Sequence, residues 1–181
     1  MNPGLMKGTV NRMELWDILD QSGHKTGKVA ARGKTILAQG QYHLVVHIWV
    51  VNSKGEMLIQ KRAVTKELMP GRWAATGGSA LSGEGSSAAA RRELKEELGL
   101  DTAPGELRFV RRMTRRNSLV DIWCLKRDVD DADVVLQPEE VEAVQWVSMS
   151  RLREMTRTGR FHNYGSEYFR VIHSMCRVCR E

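Results

Sequence analysis

A chain of 181 residues, 41% of them hydrophobic, is long enough for one domain with a real core. No apolar run approaches a membrane span and the N-terminus has no signal-peptide core, so neither a membrane protein nor a secreted one is expected. Three cysteines without framework spacing suit a reducing cytoplasm, and a net charge of +6 favours anionic ligands such as phosphates, although solubility alone explains it equally well.

Taken in chain order, residues 1–10 read as a flexible tail and 11–181 as a single domain. From Glu14 to about Thr35 the pattern is a hairpin turning at Ser22-Gly23. Tyr42 to Val51 is a dense β-branched and aromatic run, the best central strand. Asn52 to Gly55 turns it into a second strand, Glu56–Lys61, followed by a loop over Ala63–Gly71. A helix is expected from Ser86 to Leu98, with Ser86 as its N-cap. Strands near Leu107–Thr114 and Leu119–Lys126 follow, then an acidic loop, Asp128–Glu140, and a strand around Ala143–Val147. Helices over Met149–Thr156 and Ser166–Arg177 close the chain. Strands with one central helix and helices at the end suit a layered sandwich.

The segment GSALSGEGSSAAARRELKEELGL, residues 78–100, carries the chemistry. Gly78, Glu84, Arg92, Glu93, Glu96, Glu97 and Gly99 stand at fixed spacing, with Leu94 and Leu100 in two apolar positions. At about 100° per helical residue, Glu93, Glu96 and Glu97 fall within an arc of roughly 100° and can converge on one small volume. Leu94, Leu98 and Ala90 make the adjacent stripe that docks on a sheet. Arg92 lies beside Glu96 at i, i+4, placed to balance charge. Gly99 fits a left-handed C′ position, and the glycines at 77, 78, 83 and 85 let the preceding loop turn and bring carbonyls near a metal. Carboxylates so clustered suit Mg²⁺ or Mn²⁺ held against a polyphosphate. A lone acidic cluster is usually a solvated helix face, but seven identities at roughly 7% usage each coincide with a frequency on the order of 10⁻⁸.

This segment resembles the signature of the Nudix hydrolase family, Gly-x5-Glu-x7-Arg-Glu-U-x-Glu-Glu-x-Gly-U with U a bulky aliphatic, at every position. The resemblance implies an α/β/α sandwich with a mixed β-sheet, and Mg²⁺- or Mn²⁺-dependent hydrolysis of a nucleoside diphosphate linked to another moiety. It implies Glu96 and Glu97 as metal ligands, Glu93 as ligand or base, the Gly78 carbonyl as a further ligand, and Arg92 and Glu84 as residues that orient loop and helix. Residues 43–78 look like the strand, hairpin and loop preceding the box. Glu14 to Gly27 looks like the N-terminal β-hairpin of the branch related to isopentenyl-diphosphate isomerase. The isomerase's cysteine, however, falls on Gly77 and the histidine two residues on falls on Ser79; of the upstream metal histidines only His43 matches, the other falling near Ile36. Isomerisation is therefore the alternative function, together with a non-catalytic domain that binds a nucleotide or RNA. Dimers are common in such folds, which leaves a homodimer open.

Other residues carry weaker signals. Arg62, with Gln60 and Lys61, ends a strand before the glycine loop and suits a substrate phosphate or an exposed strand end. Trp73 suits a base stack or the core. Glu139, Glu140 and Glu142 precede the last strand, where family members often supply another carboxylate; Glu140 is taken as the second candidate base. The arginines between Arg108 and Arg116 read as a basic strand face rather than a nucleic-acid surface. His173, Cys176 and Cys179 have a spacing that suits zinc, but three ligands at a helix end read as structural. The substrate is a small phosphate compound, its identity set by loops outside the box: Ala63–Arg72, Asp128–Glu140 and the residues after Thr156.

Overall fold

A computed structural model describes residues 14–178; the predicted tail at 1–10 and Cys179 lie outside the described residues. Strands β1 (Leu15–Leu19) and β2 (Lys25–Ala31) form the predicted antiparallel hairpin. Asp20 builds its turn: one carboxylate oxygen accepts the backbone N–H groups of Ser22 and His24, each at 2.9 Å, while Gly23 takes φ 86°.

The remaining strands make one mixed seven-stranded sheet: β3 (His43–Val51), β4 (Met57–Arg62), β5 (Trp73–Ala74), β6 (Thr76–Ser79), β7 (Leu107–Thr114), β8 (Ser118–Lys126) and β9 (Val141–Val147). Along one edge β3 runs parallel to β8, which carries antiparallel β7. Its other edge is divided, with Val45–Ile48 pairing antiparallel to β6 and Val50–Val51 to β4. That division places the glycine-rich β6 beside the most buried strand. β4 then pairs with both β5 and β9. The two-residue β5 and four-residue β6 were not expected from the sequence; they lack apolar alternation and exist through pairing.

Period-two alternation along β3 feeds two separate cores. Val46, Ile48 and Val50 pack with Leu58 against Ala89, Ala90, Leu94 and Leu98 of α1 (Ser86–Leu98). Trp49 and Val51 face the opposite layer, with Met57 and Ile59, against α2 (Met149–Arg157) and α3 (Ser166–Val178). The result is an α/β/α sandwich with an N-terminal hairpin. Leu94 and Leu98 have no exposed surface, so truncating either to Ala costs about 2–5 kcal/mol. Among the described residues no helix is long and apolar enough to cross a membrane.

The predicted bounds of α1 hold, but its cap does not. Gly85, in extended geometry (φ −91°, ψ 161°), is the N-cap and supplies no side chain. Ser86 is the first helical residue, and its Oγ accepts the indole N–H of Trp123 at 3.0 Å. At the other end Gly99 adopts φ 71°, donating to the Lys95 carbonyl at 3.0 Å, as its sequence position requires. The acidic loop contains a 3-10 turn, Asp131–Asp133. Cys176 is buried in the α3 core.

Candidate active site

The loop from β6 into α1 is fixed by the hairpin. Asp17 of β1 accepts Ser82 Oγ at 2.7 Å and the Gly83 N–H at 2.9 Å, and pairs with Lys25 at 2.7 Å. Burial works to raise the Asp17 pKa, but Lys25, Gly83 and Ser82 outweigh it and hold the carboxyl below its ordinary value. The hairpin therefore works as a brace on the glycine loop.

Arg92 is the hub beneath that loop. Its guanidinium donates to both oxygens of Glu84 at 3.0 Å, to Glu93 Oε1 at 2.8 Å, to Glu96 Oε2 at 2.9 Å and to the Ser79 carbonyl at 3.1 Å. Glu84 in turn accepts the Leu81 N–H at 3.0 Å. Burial of Arg92 disfavours its charge, but the carboxylates around it outweigh this and raise its pKa. Gly78 makes room for the Glu93 carboxylate: a Cβ on it would lie 2.4 Å from Glu93 Oε1 and would displace that group.

Glu97 sits behind this group, 3% exposed. Its Oε2 accepts the Gly77 N–H and Gln60 Nε2, both at 3.0 Å, and Gln60 is itself fixed by Thr76 Oγ1 at 3.2 Å. Burial, reinforced by the Glu93 charge, pushes the Glu97 carboxyl up to about 8. Glu93 is also raised, by burial first and then by Glu96 and Glu140, against the pull of Arg92. Three carboxylates thus surround one guanidinium, with Glu97 as a fourth behind them. The Arg92 and Gln60 contacts hold Glu93 and Glu96 apart from Glu97, and among the described residues no three carboxylate, imidazole or thiolate groups form a ready-made cage. The donor set itself fits a hard divalent cation: clustered carboxylate oxygens with surplus negative charge, from the buried Glu97 to the half-exposed Glu96, and a backbone carbonyl on the glycine beside Glu93.

The other predicted residues lie around this centre. Glu140 is bound to Lys66 at 2.6 Å, and its charge reaches Glu93. Lys61 is paired with Glu142 at 2.6 Å. Arg62 donates to the Leu68 carbonyl at 2.9 Å, and its charge acts on Glu97. Trp73 lies on the edge strand β5, packs against the core of the α2–α3 layer, and bonds through its backbone to Arg160 and His162. The basic strand is β7, bulged between Phe109 and Arg111; within it Arg112 grips the buried Asp121 at 2.6 and 2.8 Å.

Arg32 and His47 escaped sequence reading, and His43 entered it only as the match to an upstream metal histidine of the isomerase. Arg32, paired with Glu14 at 2.6 Å, projects its charge onto Glu93 and Glu140 from the hairpin. His43 stacks on Trp16 with centroids 4.0 Å apart, and burial drives its pKa to about 4. Behind β6, His47 packs with Tyr164 and Tyr168, and burial, then Arg115 and His162, lowers its pKa to about 3. A polar residue in the middle of an apolar strand was the available signal for His47.

The model of the NUDIX domain matches residues 41–166 of the chain. An uncharacterized Nudix hydrolase of Listeria innocua is 40% identical over 153 residues, covering 84% of this chain and 90% of the relative. An isopentenyl-diphosphate Delta-isomerase of Photorhabdus laumondii is 30% identical over 132 residues, 70% of this chain and 75% of the relative. Among solved structures, the Deinococcus radiodurans protein DR0079 aligns with a TM-score of 0.74 at 21% identity, covering 93% of this chain and all of that one.

Proposed function

This chain belongs to the Nudix hydrolase family, and we propose that it hydrolyses a phosphoanhydride bond in a nucleoside di- or triphosphate or a nucleoside diphosphate linked to another group. The observation that carries this reading is the crowding of Glu93 and Glu97, a largely buried and a buried carboxylate, both with raised proton affinity, in a complete signature. Glu93, Glu96, Glu97 and the carbonyl of Gly78 are the groups that would hold Mg²⁺ or Mn²⁺. When bound, such an ion neutralises phosphate charge and lowers the pKa of water.

The chain's own residues supply the rest. Arg92 fixes the bearings of Glu93 and Glu96, and Gln60 with the Gly77 N–H fixes Glu97. Burial raises the proton affinity of Glu93, which suits it to take the proton of the attacking water. Glu140, held by Lys66, is the second candidate base. Arg62 and Lys61 lie where substrate phosphates would approach, with Trp73 beside them on β5. The water oxygen bonds to phosphorus, the bridging P–O bond breaks, and the water proton passes to the carboxylate, leaving two phosphate-bearing products.

Isomerisation is the weaker reading. At Gly77, where the isomerase has its cysteine, a Cβ would lie 2.0 Å from the Val46 carbonyl oxygen. The family's non-catalytic binding domains typically lack part of the carboxylate set that is complete here. The absence of a membrane-spanning helix among the described residues is consistent with a cytoplasmic enzyme. Phosphate release across nucleotides, nucleotide-linked diphosphates and prenyl diphosphates tests the reading: Mg²⁺-dependent activity lost in Glu97→Gln supports it. Silence across the panel, with tight nucleotide or RNA binding, would replace it with a sensing domain.

A further inference from the structure

We propose that a second anion subsite lies across β3 from α1, where the His47 Nε2–H and the Tyr164 hydroxyl take an oxygen of the substrate's outer phosphoryl group; the proposal rests on the diphosphate reading above. The register sets the position. His47 pairs with Gly77, whose N–H holds Glu97. The imidazole packs against the tyrosines of the α3 side, directly behind the signature loop.

Proton accounting fixes what His47 offers. The Trp49 indole N–H can only donate, and it donates to the Tyr168 hydroxyl at 3.0 Å. Tyr168 is fully buried, and its own proton has one acceptor among the described residues, His47 Nδ1 at 2.8 Å. His47 Nδ1 is therefore bare and Nε2 carries the hydrogen, with no acceptor among the described residues. Tyr164 repeats the pattern: its oxygen accepts the Ala75 N–H at 3.2 Å, and its proton is unclaimed. The two rings are 4.8 Å apart between centroids. Two oriented donors without an acceptor among the described residues are open to an oxygen ligand.

The surrounding charge makes that ligand an anion. Arg62, Arg72 and Arg115 are set apart by position: like several other arginines they form no ion pair among the described residues, but these three gather on the side of the sheet that carries the two donors. Arg115 donates to the Tyr164 carbonyl at 2.5 Å and lies 5.9 Å from the Tyr168 ring centroid. Arg62, Arg72 and Arg115 all act on His162, whose ring lies 4.6 Å from that of Tyr164. The Glu97 charge also reaches Tyr164, which puts the donors within range of the signature helix. A cation would be repelled by these guanidiniums and an alkyl chain would accept from neither donor; a phosphoryl oxyanion suits both the donors and the positive surroundings.

The test uses methylenediphosphonate, a diphosphate that cannot be hydrolysed, with Mg²⁺. Calorimetry should show binding by the wild type and about 10- to 100-fold weaker binding by Tyr164→Phe. In ¹⁵N-histidine NMR of the wild type, His47 should be neutral with its proton on Nε2, and that signal should move when the probe is added. A proton on Nδ1, or an Nε2 signal indifferent to the probe, overturns the proposal whether or not the variant folds. Wild-type affinity in Tyr164→Phe alongside lost affinity in Glu97→Gln removes this subsite and leaves the diphosphate reading standing. No binding by the wild type removes both.

Discussion

Replacing Glu97 by Gln should remove activity and, at the same time, stabilise the metal-free protein at alkaline pH. The folded protein holds the Glu97 carboxyl at about 8 against an ordinary value of 4.5. Below 4.5 the group is protonated folded or unfolded and contributes nothing to the difference. Between 4.5 and 8 the unfolded chain releases the proton and the folded one keeps it, so stability falls as pH rises. At 1.36 kcal/mol per pH unit the loss reaches about 5 kcal/mol at most by pH 8. Gln is isosteric and its side-chain oxygen can keep the bonds from Gln60 and Gly77, so the charge is what the substitution removes. Thermal denaturation in EDTA at pH 5 and pH 8 reads the effect. Relative to the wild type, Glu97→Gln should gain on the order of 10 °C at pH 8 and almost nothing at pH 5. Adding Mg²⁺ at pH 8 should raise the wild type and leave the variant nearly unmoved. A variant less stable than wild type at pH 8, or one with an unchanged pH slope, would mean that Glu97 is not held protonated in the fold.

The Arg112–Asp121 pair should respond asymmetrically to truncation. Arg112→Ala strands a carboxylate that is 2% exposed and should cost about 3 kcal/mol; in Asp121→Ala the guanidinium, already 38% exposed, turns to water and the loss is about 1 kcal/mol, both read by urea unfolding. Gly78→Ala should lower turnover at least about tenfold with the melting temperature little changed, because its Cβ displaces only the Glu93 carboxylate. In Gly77→Ala the collision is with the Val46 backbone, so pairing of β6 with β3 should fail and stability fall by about 3 kcal/mol or more.

The elements with a strong apolar signal were legible in the sequence. The dense apolar run of β3 marks a central strand and the Ala90, Leu94, Leu98 stripe of α1 marks a docking face, and both are buried. The α1 N-cap was misplaced because Ser86 has two competing uses: its hydroxyl meets Trp123, thirty-seven residues away in sequence, instead of the helix's own N–H groups. β5 and β6 have no side-chain signature, since their order comes from neighbouring backbone. At the site, spacing gave the Arg92–Glu96 contact, but not that Glu97 turns to Gln60 and Gly77. The arrangement of Tyr164, Tyr168 and Arg115 around His47 joins three distant segments and depends on the sheet register, which no local pattern encodes.

If this chain is the hydrolase proposed above, water attacks phosphorus at a site that depends on Glu97. The direct measurement is incubation of the same diphosphate panel with Mg²⁺ in ¹⁸O-enriched water, with mass spectrometry of the products. One ¹⁸O is expected in one phosphate-bearing product of at least one substrate, absent without divalent metal and absent with Glu97→Gln. No label in any product, or label undiminished in Glu97→Gln, would contradict it.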